Sequence, residues 1–252
     1  MNLDIKGKNA LITGGSRGVG RATAIALAKE GVNIVINYNS SEDEAKTVIE
    51  EAKKYGVNAI AIKANLGNSD ECTMLMEEAE KGLGNIDILI NNAGIWPKNW
   101  VTDIPLEEWN KTIDVNLTSV FLMSQYFVKS NLSKNRKGRI LNITSQAAFN
   151  GSTTGHAHYA ASKSGVVALT VSMAREVSKH GINVNAVALG IVETDMVKES
   201  LEEKRDYYMN RIPIGRVAKP EDIANICLFM VSEPSSYITG ATIDATGGML
   251  MR

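Results

Sequence analysis

The chain has 252 residues, 44% hydrophobic and 22% charged, with 27 basic and 28 acidic side chains and a formal charge of −1. Such a length and apolar fraction support a sizeable core, and the low hydrophobicity and high net charge of a disordered chain are missing. The balanced charge leaves no basic excess for nucleic acid or anionic lipid, and no apolar run reaches the roughly 18 residues of a membrane span.

Short β-branched runs alternate with longer helical patterns along the whole chain. Strands are predicted at Lys8–Thr13, Asn33–Asn37, Asn58–Ile62, Ile86–Ile90, Arg139–Ile143, Asn183–Ala188 and Thr242–Asp244. Helices are predicted near 18–30, 42–55, 69–82, 107–130, 158–180 and 220–232. Strands alternating with helices imply βαβ crossovers and a doubly wound, seven-stranded, mainly parallel sheet with helices on both faces. No linker, repeat or low-complexity segment divides the chain, so 1–252 is read as a single α/β domain. Residues 191–215 break the rhythm. An insertion after a strand's carboxyl end is the place for a substrate lid, and an extra surface helix is the plainer alternative.

The first strand runs into Thr13-Gly14-Gly15-Ser16-Arg17-Gly18-Val19-Gly20, and a helix follows at once. Glycines permit a sharp turn and close backbone approach, and the helix N-terminus offers free N–H groups to a pyrophosphate. This is the setting of a Rossmann-like dinucleotide site, although the spacing departs from the usual GxGxxG. A cofactor with a free ribose 2′-hydroxyl calls for a carboxylate at the end of the second strand. Here the end reads Ile36-Asn37-Tyr38-Asn39-Ser40-Ser41, without one. Arg17 can meet a 2′-phosphate instead, with Asn39 and Ser40 as further donors, so NADP(H) is expected over NAD(H).

Tyr159 and Lys163 are four residues apart on a predicted helix, on one face and within reach of a common ligand. A nearby ammonium and a positive nicotinamide ring favour the phenolate, lowering the tyrosine pKa towards the range useful for proton transfer. Ser145 ends the fifth strand, where a sheet presents side chains to a ligand crevice. Each of these residues has an ordinary structural alternative, and their conjunction with the glycine turn carries the reading. The two cysteines, Cys72 and Cys227, and three histidines have no metal-ligand spacing, so no metal is expected. The opening Met1-Asn2-Leu3-Asp4-Ile5-Lys6 lacks the layout of a secretory signal, and the expected setting is cytoplasmic.

With Asn91-Asn92-Ala93-Gly94 after the fourth strand and Asn116 in the following helix, the chain resembles the short-chain dehydrogenase/reductase family over nearly its whole length. The resemblance implies Tyr159 as general acid/base, Ser145 orienting the substrate oxygen, Lys163 on the nicotinamide ribose and Asn116 placing a relay water. It extends the cofactor set from Gly14, Ser16, Arg17, Gly18, Val19, Gly20, Asn39 and Ser40 to Asn65, Leu66, Asn92, Ala93, Gly94, Val192 and Thr194. Asn65 replaces the family's usual Asp beside adenine, and Leu189-Gly190 replaces Pro-Gly. Asn116 within Ile113-Asp114-Val115-Asn116-Leu117-Thr118 also reads as the mark of a helix irregularity.

Segments such as Arg211-Ile212-Pro213-Ile214-Gly215-Arg216 and Tyr237-Ile238-Thr239-Gly240 are similar to those of bacterial 3-oxoacyl-acyl-carrier-protein reductases. That implies a carbonyl reductase of fatty acid biosynthesis, a carrier-linked acyl chain as substrate, and a homotetramer paired through the helices at 107–130 and 158–180. Two arginines beside the entrance grip the carrier in those reductases; Arg136 matches one and His180 stands at the other. Gln146, Trp96 and His156 are the candidate substrate contacts, with Phe149, His158 and Trp100 nearby in sequence. Sugar, polyol or steroid dehydrogenation, and a non-catalytic nucleotide sensor, remain as alternatives.

Overall fold

The computed structural model describes residues 2–152 and 154–252, with the backbone alone at Glu199 and Ser200. Seven strands form one sheet: β1 (Asn9–Ile12), β2 (Asn33–Tyr38), β3 (Ala59–Lys63), β4 (Ile88–Asn91), β5 (Gly138–Ser145), β6 (Ile182–Leu189) and β7 (Thr242–Ala245). Their order is β3-β2-β1-β4-β5-β6-β7. Every pairing is parallel, so the expectation of a mainly parallel sheet becomes an entirely parallel one among the described residues.

The helices are α1 (Gly18–Lys29), α2 (Glu42–Lys53), α3 (Ser69–Leu83), α4 (Leu106–Ile113), α5 (Ser119–Ser133), α6 (Ala147–Asn150), α7 (Ala157–Val177), α8 (Lys198–Met209) and α9 (Pro220–Met230). The strand pleat explains why both faces are covered. Ala10, Ile12, Ile34, Ile36, Ile88 and Ile90 point into a core shared with α1, α2 and α9. The residues between them, Leu11, Val35 and Leu89, point the other way, into a core holding Leu75, Met123 and Phe127.

The N-terminus of α1, which faces the cleft, differs from those of α2, α3 and α9. Asn68 accepts from Asp70 N–H at 2.9 Å to start α3, and the Asp222 carboxylate accepts from Lys219 N–H at 2.8 Å at the start of α9. The α2 helix carries Glu42, Asp43 and Glu44 in its first turn. By contrast, α1 has neither a side-chain cap nor an acidic residue in its first turn. Its first N–H groups and positive end are turned to the cleft.

The helix predicted at 107–130 is broken. Asp114–Thr118 between α4 and α5 is π-helical, because the Asn116 amide is drawn onto the backbone of Ile95: Oδ1 accepts from Ile95 N–H at 2.8 Å and Nδ2 donates to Ile95 C=O at 2.9 Å. The irregularity anticipated at Asn116 is thus present, with a tertiary cause.

Candidate active site

A cleft of about 570 Å³ runs along the carboxyl ends of the strands, across the point where strand order reverses between β1 and β4. That switch point is where an open α/β sheet leaves room for a ligand. Gly14, Ser16, Arg17, Gly18 and Val19 line one end, joined by Asn39 and Ser40 after β2, Asn65 and Leu66 after β3, and Asn92, Ala93 and Gly94 after β4.

The glycine turn is held by a short polar clamp. Thr13 Oγ1 accepts from the N–H groups of Asn92 and Ala93 at 2.9 and 3.0 Å, and Asn92 Nδ2 donates to the carbonyls of Thr13 and Gly14 at 2.9 and 3.1 Å. Gly14 has φ +61°, a conformation that suits glycine. Gly20 does not line the cleft; a Cβ there would overlap the Gly14 carbonyl oxygen and lie 2.6 Å from Asn92 Nδ2. Its bare backbone lets α1 pack against the turn. The uncapped α1, the close-approach backbone and the free Arg17 side chain fit the pyrophosphate and adenosine half of a dinucleotide.

Beyond the switch point, Ser145 at the end of β5 and Tyr159 and Lys163 on α7 line the same cleft, with Val192 and Thr194 after β6. Lys163 is buried, and its Nζ donates to the Ile143 carbonyl at 2.9 Å, 5.8 Å from the Tyr159 ring centre. Burial pulls the lysine down to about 8. Burial also pushes the Tyr159 phenol up, with the Ser145 hydroxyl opposing. This is opposite in direction to the expected lowering, which also counted a nicotinamide's positive ring; burial of the phenol is the dominant cause. The phenol is consequently held in its proton-donating form at neutral pH. Asn116 stands behind the cleft, fully buried, with Nδ2 also donating to Ser162 Oγ at 3.2 Å. It braces the Ile95 backbone next to Gly94.

The chain matches, over residues 14–250, the family model described as enoyl-(acyl carrier protein) reductase. It is 42% identical to the 3-oxoacyl-[acyl-carrier-protein] reductase FabG of Staphylococcus epidermidis, over 97% of this chain and 99% of that one. A short-chain type dehydrogenase/reductase from Mycobacterium marinum has the same fold, with a TM-score of 0.94 at 33% identity over 99% of this chain and 98% of that one. The chain belongs to the short-chain dehydrogenase/reductase family. Membership makes it an oxidoreductase. A short chain dehydrogenase from Burkholderia cenocepacia, solved in complex with NADP, has a TM-score of 0.90 at 32% identity and covers 97% of this chain and 98% of that one.

At the substrate end of this dehydrogenase/reductase, Gln146, Trp96 and His156 all line the cleft. Trp96 stacks on His156 with ring centres 4.2 Å apart and an angle of 18° between planes. His156 Nδ1 lies 2.7 Å from the Pro97 carbonyl, so it carries the hydrogen and Nε2 is the acceptor. Burial and neighbouring positive charge keep this imidazole below its ordinary pKa.

Other neighbours in sequence are not neighbours in the cleft. Trp100 is 61% exposed and outside the lining. His158 is fully buried, 3.2 Å from Glu108 Oε1, and Phe149 packs under Arg252. Arg136 and His180 precede β5 and β6, at the end of the sheet opposite the cleft, and Arg136 is paired with Asp87 at 2.6 Å. Within one chain neither borders the entrance, because both lie at the amino ends of their strands.

The cleft also takes Tyr207 and Tyr208 from α8, Arg211 beyond it, and Met249 near the C-terminus. Sequence reasoning missed all four. The break in the pattern at 191–215 pointed to the region of the first three, without singling out these side chains. No helix among the described residues is long and apolar enough to cross a membrane.

Proposed function

We propose that this chain is an NADPH-dependent reductase converting a carbonyl to a secondary alcohol, with 3-oxoacyl thioesters as the leading substrate class. The observation that carries the proposal is the meeting of Ser145, Tyr159 and Lys163 in one cleft with the uncapped α1 and Arg17. A nicotinamide cofactor held between these ends would supply the hydride for the carbonyl carbon. Ser145 hydrogen-bonds the carbonyl oxygen, and the protonated Tyr159 phenol gives that oxygen its proton. The Lys163 ammonium then stabilises the phenolate left behind and holds the cofactor ribose. Asn116 acts behind these groups by fixing the Ile95 backbone.

The absence of a carboxylate at the end of β2 and the presence of Arg17 support NADPH over NADH. The substrate class rests on likeness to relatives named 3-oxoacyl-[acyl-carrier-protein] reductase. A polyol or sugar substrate is the second reading, favoured by the polar wall of Gln146, Asn150, Ser152 and His156. We further propose a cytoplasmic homotetramer paired through the faces of α4, α5 and α7, with residues 191–215 serving as a lid. Light scattering at the mass of one chain would contradict that assembly.

Tyr159→Phe tests the mechanism. It is expected to keep NADPH binding and abolish turnover, and retained turnover would remove Tyr159 from proton transfer. A panel of 3-oxoacyl thioesters and small hydroxyketones separates the two substrate readings.

A further inference from the structure

Building on the reductase reading, we propose that Arg211 forms an anion-binding subsite at the substrate end of the cleft, selecting carbonyl substrates that carry a carboxylate or phosphate group. Among the described residues, the cleft is lined by four cations, Arg17, Lys111, Lys163 and Arg211, against one carboxylate, Asp195. Three of these cations have other places. Arg17 stands in the glycine turn, Lys163 donates to the Ile143 carbonyl, and Lys111 also borders a shallow hollow beside Asn65 and Val115, at the adenosine side. Arg211 is left, on the wall with Tyr207, Tyr208 and Met249.

Arg211 is exposed at the mouth of the cleft, and the backbone that carries it is fixed by its neighbour. Ile212 next to it is 5% exposed, and its Cγ2 lies 2.8 Å from where a Cβ on Gly247 would stand. The guanidinium carbon sits 5.1 Å from the Tyr207 ring centre, and Nη1 donates to the Tyr207 hydroxyl. That contact uses one donor and leaves the rest of the planar fork for a ligand. Arg21, Arg136, Arg139, Arg216 and Arg252 are each paired with a carboxylate. Among the described residues no such partner lies within 4.0 Å of Arg17, Arg175, Arg205 or Arg211, and of these four only Arg17 and Arg211 line the cleft. An arginine without a counter-ion, fixed on an aromatic ring at the wall of a concave site, recognises a carboxylate or phosphate through charge-assisted hydrogen bonds.

The test compares an anion with its neutral counterpart at the same carbonyl. One pair is 4-oxopentanoate and its methyl ester; the other is acetoacetyl-4′-phosphopantetheine and acetoacetyl-pantetheine. Steady-state NADPH oxidation and calorimetric binding are measured for wild type, Arg211→Met and Arg211→Lys. The wild type is expected to favour the anion by about ten-fold or more in kcat/KM in at least one pair. Arg211→Met erases that ratio through KM, and Arg211→Lys keeps part of it. The pair that carries the preference separates a carboxylate substrate from a phosphate one. A ratio near unity in both pairs, or one unchanged by Arg211→Met, overturns the subsite. If none of the four compounds is reduced, the reductase reading fails separately, and the calorimetric ratio for the same ligands still decides the subsite.

Discussion

At the nucleotide end of the cleft, the backbone forms most of the surface offered to a ligand. The Thr13 and Asn92 side chains bind the main chain of each other's segment and so lock the end of β1 and the glycine turn to the segment after β4, and α1 offers its bare N-terminus. At the substrate end the groups are side chains from separate segments: Trp96 after β4, Gln146 before α6, His156 before α7, Tyr207 on α8 and Met249 near the C-terminus. A backbone-built site tolerates little local change and suits a ligand shared by many proteins. A site built from side chains on distant loops changes by substitution, which suits a ligand particular to each protein.

The largest expected break falls between the two ends, at Lys163. Lys163→Met is expected to lower turnover by about 10²–10⁴-fold. It is also expected to raise stability at neutral pH. Burial holds this lysine at about 8 instead of 10.5, so between those values the unfolded chain binds more protons and stability rises with pH. Below pH 8 both states are charged and the full burial cost is present. Removing it at pH 7 relieves that cost, set against the hydrogen bond lost at the Ile143 carbonyl, for an expected net gain of about 1 kcal/mol, or about 2–4 °C in melting temperature. Melting curves at pH 7 and above 10.5 check this, since the gain should vanish at the higher pH.

Thr13→Val probes the backbone clamp. The valine keeps the shape and leaves the N–H groups of Asn92 and Ala93 without their acceptor, at a cost of about 2–4 kcal/mol. Denaturant unfolding should show that loss, and NADPH affinity should fall with it. An unchanged midpoint would mean the clamp is dispensable. Arg17→Ala should be gentler: stability unchanged, NADPH affinity down about 10–100-fold and NADH affinity within a few-fold, measured by fluorescence titration.

The smallest effect is expected at Glu108, whose carboxylate accepts from Asn99 Nδ2 at 3.0 and 3.1 Å and faces His158. Asn99 N–H donates to the Gly155 carbonyl at 2.8 Å, which ties the Trp96 loop to the start of α7. Glu108→Gln should raise substrate KM by about five-fold and leave NADPH affinity alone. Equal losses of both would make Glu108 a general fold support instead.

The same contrast explains what could be read before the fold was known. All seven strands, the glycine turn and the Tyr159/Lys163 face follow from local pattern, because β-branched runs, bare glycines and helical spacing act over a few residues. The π-helical break at Asp114–Thr118 does not, since it depends on Asn116 reaching Ile95 across the fold. Nor does the raised phenol of Tyr159, because the burial that raises it is set by the packing of distant segments around the cleft. Arg211 and Tyr207 lie in the 191–215 segment that broke the rhythm, but nothing local singled out either side chain; the packing of Ile212 and the placing of α8 bring them to the cleft. Trp100 and His158 erred the other way, close to site residues in sequence but turned to solvent and core.

The most direct measurement follows NADPH absorbance while wild-type protein is given an acetoacetyl thioester, with the product identified by mass. One hydroxyacyl thioester formed for each NADPH oxidised is the expected result. Tight NADPH binding with no oxidation, across both thioesters and small ketones, would contradict the assignment of this cleft to carbonyl reduction.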